Sequence, residues 1–124
     1  FTQGDPYHCF CKKTSRLVAE RLGLGEEKYM TTFQSRFGRA EWLKPYTSET
    51  MESLPVENIK NILVVAPGFS VDCLETIEEI DEENKEIFID AGGKTFNYVS
   101  CLNDSDLHVS FIKNFLNKQI SIWK

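Results

Sequence analysis

Eight carboxylates and one lysine crowd into the fifteen residues DCLETIEEIDEENKE, from Asp72 to Glu86. The stretch follows the turn Pro67-Gly68-Phe69. At about 100° of rotation per residue, Asp72, Glu75, Glu79 and Glu83 fall on one narrow stripe of a helix. Leu74, Ile77, Ile80 and Ile87 fall on another face. Carboxylates are hard oxygen ligands and proton acceptors, so such a file is either a path that leads a cation into a site or an ordinary solvated helix face. Pattern alone weighs toward the solvated face, because most charge runs are that.

The elements that must position this stripe can be read around it. Asn61 to Ala66 is an unbroken apolar run behind its first residue, the pattern of a strand buried on both faces of a parallel sheet. Pro67-Gly68 breaks it, and the acidic helix follows to about Ile89. Asp90 to Gly93 is a C-terminal turn, and 96–101 reads as another strand. Upstream, Asp5 and Pro6 start a helix that Gly23 closes, with Phe10, Thr14, Leu17, Val18 and Leu22 at helical spacing. Residues 28–34, KYMTTFQ, read as a short strand. Residues 35–47 have no clean period and read as a loop. Thr47 or Ser48 opens a short helix that must end by Pro55. Asp104 or Ser105 caps a last helix, with Leu107, Phe111, Ile112, Phe115 and Leu116 facing inward. The order α-β-α-β-α-β-α implies an α/β fold with a parallel sheet and helices on both faces.

Composition sets outer bounds. The chain of 124 residues is one domain by length, with 41% hydrophobic and 27% charged residues. Its net charge of −5 is local to 72–86 and leaves the remainder slightly basic. No basic stripe of the kind a phosphate backbone needs is present, so nucleic acid is not an expected partner. No apolar run approaches the roughly 20 residues of a membrane span, and no signal peptide is visible.

Five words come in order at compact spacing: GDPY at 4–7, FQSRFG at 33–38, EWLKPYT at 41–47, VVAPGF at 64–69 and DCLETIEEI at 72–80. Together they resemble the C-terminal part of ferrochelatases, with the bacterial branch the closer match. The resemblance runs from Gly4 to about Leu102 and more loosely through the last helix. It implies a chelatase-like, three-layer α/β domain spanning 1–124, the C-terminal half of a two-domain enzyme. The chain opens at Phe1, where members of that family are already past their midpoint. The expected N-terminal domain, with a metal-binding His just upstream of GDPY, would lie outside it.

For the whole protein the resemblance implies a lyase of haem biosynthesis that inserts Fe²⁺ into protoporphyrin IX. Iron is then a substrate, and the other partners are the porphyrin and the N-terminal domain. The 1–124 piece alone is expected to be inactive. Glu75 matches the family Glu assigned to metal binding and to removal of the pyrrole protons. A first-turn Glu also favours the positive end of the helix dipole, and both roles can hold together. Asp72, Glu79 and Glu83 would relay metal or protons between solvent and the site. Phe69, Trp42 and Phe37 match positions that line the macrocycle cleft, where a flat apolar ligand needs flat apolar walls; packing of a loop against the sheet is the alternative. A cytoplasmic location is expected, with any peripheral membrane contact through the missing half.

Four cysteines invite a comparison with cluster-bearing ferrochelatases, but the spacing of Cys9, Cys11, Cys73 and Cys101 is wrong for it. Cys9 and Cys11 point about 200° apart on a helix. Free thiols are expected and no iron–sulfur cluster. Cys73 borders Glu75, while His8 and His108 read as surface or helix-end residues. Two other readings remain open. One is another tetrapyrrole chelatase of the cobalt or sirohydrochlorin type. The other is a non-enzymatic flavodoxin-like binding domain whose acidic helix engages a basic partner, although no glycine-rich phosphate loop follows a strand.

Overall fold

The structure, a computed structural model, describes residues 4–34 and 41–123. The Asp5 carboxylate accepts the Tyr7 N–H at 2.9 Å, and helix α1 (Tyr7–Leu22) begins there. Gly23 closes it at φ +68°, a left-handed conformation that glycine adopts without steric cost, and Leu24 N–H returns to Ala19 O at 2.9 Å. A single 3₁₀ turn (Glu26–Lys28) follows.

The expected strand at 28–34 does not form. Among the described residues only Phe33 of this segment pairs, in an isolated parallel bridge with Tyr46. Its N–H donates to Pro45 O at 2.9 Å and its carbonyl accepts Thr47 N–H at 3.0 Å. Pro45 has no N–H to extend the ladder, and helix α2 (Thr47–Val56) starts immediately afterwards. Pro55 sits fully buried in the last turn of α2, which runs one residue past the expected stop.

Strand β1 (Asn61–Val65) pairs in parallel with β2 (Thr95–Val99), Ile62 opposite Phe96 and Val64 opposite Tyr98. Parallel strands need a crossover, and the acidic helix supplies it. The α/β class and the parallel pairing are as the sequence predicts. The exposure of β1 is not. Ile62 and Val64 point to the helical side, while Leu63 is 66% exposed and Val65 49%. The unbroken apolar run marks both faces of β1 as suited to burial, but the described helices cover one of them.

The crossover is wound as a π-helix from Glu75 to Asn84 and continues as α3 (Lys85–Asp90). A π-helix bonds i to i+5, so each turn holds more residues and positions four apart stay nearly in line. The buried positions show this: Thr76, Ile80, Asn84 and Phe88 follow at steps of four. The predicted apolar face is therefore only half right. Ile80 and Ile87 turn inward, whereas Leu74 and Ile77 remain exposed. The core is Met51 of α2, Ile80, Phe88 and Phe96, with Leu54, Ile62, Val64 and Tyr98 packed around it. The Phe88 and Phe96 rings lie 6.1 Å apart, tilted by 57°.

Helix α4 (Asp106–Ile120) starts at Ser105, whose hydroxyl accepts His108 N–H, as expected. Its predicted inward residues are not inward. Leu107, Phe111, Ile112, Phe115 and Leu116 are all exposed. Their spacing gives the helix an apolar face, but nothing among the described residues covers it.

Candidate functional site

The chemistry-bearing residues gather where the chain leaves the C-terminal ends of the two strands. In open parallel sheets this is where ligands bind. After β1, Phe69 N–H closes the Pro67-Gly68 turn onto Ala66 O at 3.0 Å. Phe69 is half-buried there.

Asp72 comes next, and it precedes the helix rather than sharing its file of carboxylates. Its Oδ1 accepts the Tyr98 hydroxyl at 2.8 Å and the Cys101 N–H at 3.2 Å, with the Thr76 hydroxyl at 3.1 Å. Its Oδ2 accepts Asn103 Nδ2 at 2.7 Å. The Asn103 amide, followed by Tyr98 and the Cys101 N–H, holds the Asp72 carboxyl well below the usual carboxylate range, because each donor stabilises the anion. The Cys101 Sγ lies 3.3 Å from the Tyr98 hydroxyl, and either atom can be the donor there. Burial, then the Cys101 contact, pushes the Tyr98 phenol up, and burial does the same to the Cys101 thiol.

Glu75 opens the π-helix with its side chain exposed. The Cys73 thiol, with the residue's own N–H, lowers its carboxyl from the ordinary value. It is therefore ionised at neutral pH, the state that binds a hard cation. Glu79 is half-buried and Glu83 exposed. At steps of four these three carboxylates succeed one another along the π-helix. Gln34 crosses to it from the 29–34 segment, its Nε2 donating to Glu75 O at 2.9 Å and reaching Glu79 Oε2 at 3.5 Å.

The aromatic candidates are dispersed. Trp42 tilts against Tyr7 with ring centroids 6.5 Å apart, and Phe37 lies outside the described residues. His8 stacks on Phe33 at 5.6 Å. His108 lies at a helix end, as read, in the first turn of α4, but buried, with Nδ1 2.6 Å from Asn103 O. All four cysteines are free thiols. Among the described residues no three His, Cys, Asp or Glu converge as a metal site, and no helix is long and apolar enough to cross a membrane. Two shallow clefts, one lined by Ser48, Glu52 and Ile87, the other by His8, Lys12 and Tyr29, include none of the carboxylates of the file.

Asn103 and Gln34 are the residues that sequence reasoning missed. Gln34 lies within the FQSRFG word. Asn103 follows a strand and precedes a cap, with no local pattern to mark it.

The ferrochelatase family profile matches residues 1–120. A ferrochelatase of Marinobacter nauticus is 58% identical over 121 residues, covering 98% of this chain and 33% of its own length. That of Pseudoalteromonas atlantica is 54% identical over 123 residues (99% and 34%), and that of Idiomarina loihiensis 55% over 120 residues (97% and 33%). The chain thus spans about a third of the length of these curated relatives. Two of the words that suggested the resemblance, VVAPGF and DCLETIEEI, sit on the strand-to-helix turn and the acidic crossover, and with the profile covering nearly all of it, the chain belongs to the ferrochelatase family.

Proposed function

We propose that the protein of which this chain is a part is a metal chelatase of haem biosynthesis, a lyase that inserts Fe²⁺ into protoporphyrin IX. The reaction replaces two pyrrole N–H protons by the metal, so the site must deliver a dication and accept two protons. Glu75 is assigned both contacts. It is exposed, ionised and placed at the mouth of the strand-to-helix turn, where a ligand beyond the strand ends would sit. Glu79 and Glu83 continue from it along the helix and are assigned the supply of iron and the removal of protons. Phe69 and Trp42, with Phe37, are assigned to the apolar walls of the macrocycle cleft. The N-terminal domain is the partner that would complete the site. The location is read as cytoplasmic, with any membrane contact made through that other domain.

The observation that carries this reading is the file Glu75–Glu79–Glu83, led by an exposed, ionised Glu at the crossover mouth. Steady-state rates of the full-length protein at varied Fe²⁺ and fixed porphyrin test it. Glu75→Gln is expected to lower kcat by about 10²–10⁴-fold with the fold intact, the range for loss of a positioned proton acceptor. Glu79→Gln and Glu83→Gln are expected to raise the KM for iron and leave porphyrin binding alone. Equal, mild losses at all three positions would reduce the file to a solvated face.

A further inference from the structure

The hydrogen bonding of β1 to β2 ends at Val65 and Val99. Beyond that point two loops leave the sheet, 66–74 toward the acidic helix and 100–105 toward α4. Among the described residues, every hydrogen bond that ties 66–74 to the C-terminal end of β2 and the loop after it is made by Asp72 or Asn103. Asn103 donates its backbone N–H to Ser70 O at 3.0 Å and accepts Asp72 N–H on Oδ1 at 2.8 Å. It also donates Nδ2 to Asp72 Oδ2 at 2.7 Å. Its carbonyl meets His108 Nδ1 in the first turn of α4. To do all this it takes φ +48°, a left-handed conformation that asparagine adopts more readily than most residues.

We propose that Asn103 and Asp72 form a clamp that aims the Glu75 carboxylate, making both of them positioning residues for metal insertion rather than links in the metal path. The inference rests on the role proposed for Glu75. A carboxylate offers about four lone-pair sites. Tyr98, the Cys101 N–H and Thr76 crowd onto Asp72 Oδ1, and Asn103 takes one side of Oδ2, so this carboxylate is engaged mainly in holding the fold. Asp72 lies three residues before Glu75, and the Thr76 hydroxyl bonds both Asp72 and the Cys73 carbonyl. The direction in which the π-helix sets out is therefore fixed by the grip on Asp72. A misplacement of 1 Å at a reacting group can cost about 10²-fold in rate. The amide must also be an amide. One end accepts a backbone N–H while the other donates to a carboxylate, which neither Asp nor Leu can do at position 103.

A reciprocal exchange in the full-length protein separates the clamp from a relay. Asn103→Asp sets two carboxylates against each other, and Asp72→Asn sets a donor against a donor. The double variant restores one carboxylate and one amide, with Asn at 72 donating to Asp at 103 and its oxygen still accepting from Tyr98 and Cys101. Each single variant is expected to lower kcat about 10- to 100-fold with the KM for porphyrin unchanged. The double variant is expected to return to within about threefold of the parent. If Asn103→Asp does not fold, Asn103→Gly keeps the left-handed backbone, removes the amide and carries the same expectation. A double variant as slow as Asp72→Asn alone would overturn the proposal, because the carboxylate at 72 would then be needed as such. So would single variants of undiminished kcat. Amide hydrogen exchange over 70–76 reads the clamp independently of catalysis. It should quicken in the single variants and slow again in the double, and unchanged exchange in the single variants would overturn the proposal. If the parent inserted no iron, the functional reading would fail while this exchange measurement still decided the clamp.

Discussion

The turn at 66–76 and helix α4 both lie next to the 100–105 loop, yet they are built on opposite terms. In the turn, polar groups are drawn in and satisfied: Asp72 is enclosed by donors from Thr76, Tyr98, Cys101 and Asn103. In α4, apolar groups are left out. Phe111 is 65% exposed and Phe115 53%, their rings stacked on each other at 6.3 Å. Local pattern says which face of a helix suits burial, but not what will cover it. A half-buried carboxylate, by contrast, needs donors nearby to offset the water it loses. The polar knot is therefore complete within this chain, and the apolar face of α4 is not.

The sharpest way to break this comparison is to attack what the chain itself packs. Phe88 is fully buried between the crossover and β2. Phe88→Ala should cost about 3–5 kcal/mol in denaturant unfolding. A cost under about 1 kcal/mol would mean that this side of the sheet is no tighter than the open one. Gly93 tests the same contact from outside. A methyl group there would overlap the Phe88 ring and carbonyl, so Gly93→Ala should cost about 1–3 kcal/mol. Gly68, with open space around it, should tolerate alanine within about 0.5 kcal/mol.

The polar knot predicts a smaller, pH-dependent effect. The folded Asp72 carboxyl is held below its unfolded value, so its contribution to stability is complete above the ordinary carboxylate range near about pH 4. It is lost as the pH falls from there through the folded value. Thermal melts between neutral and acid pH should show this acid limb in the parent and a flatter one in Asp72→Asn. Equal slopes would mean that the donors around Asp72 do not hold the anion. The smallest effect belongs to α4. Phe111→Ser should change stability by less than about 0.5 kcal/mol while that face stays in water. A cost above about 2 kcal/mol in the full-length protein would show that the face is covered there.

Local chemistry was legible wherever neighbours in sequence decide the outcome. Asp5 and Gly23 bound α1, Ser105 caps α4, and the Pro67-Gly68 break separates β1 from the crossover, all as read from residue types. The reading failed where distant partners decide. KYMTTFQ has strand chemistry, but among the described residues only its Phe33 joins a strand-like bridge. An α-helical period placed Asp72 with Glu75, Glu79 and Glu83 and Leu74 with Ile80. The π winding, with Asp72 left outside the helix, separates both sets.

Contiguous residues and their order carried the family, the Glu75, Glu79 and Glu83 part of the acidic file and the turn that presents it. Long-range contacts are what surround Asp72 with donors while Glu75 stays exposed, and what bring Asn103, thirty-one residues away from Asp72, between the two strand ends. The two carboxylates lie three positions apart on identical chemistry. What separates them is the parallel register, which carries Tyr98, Cys101 and Asn103 to one and brings none of them to the other.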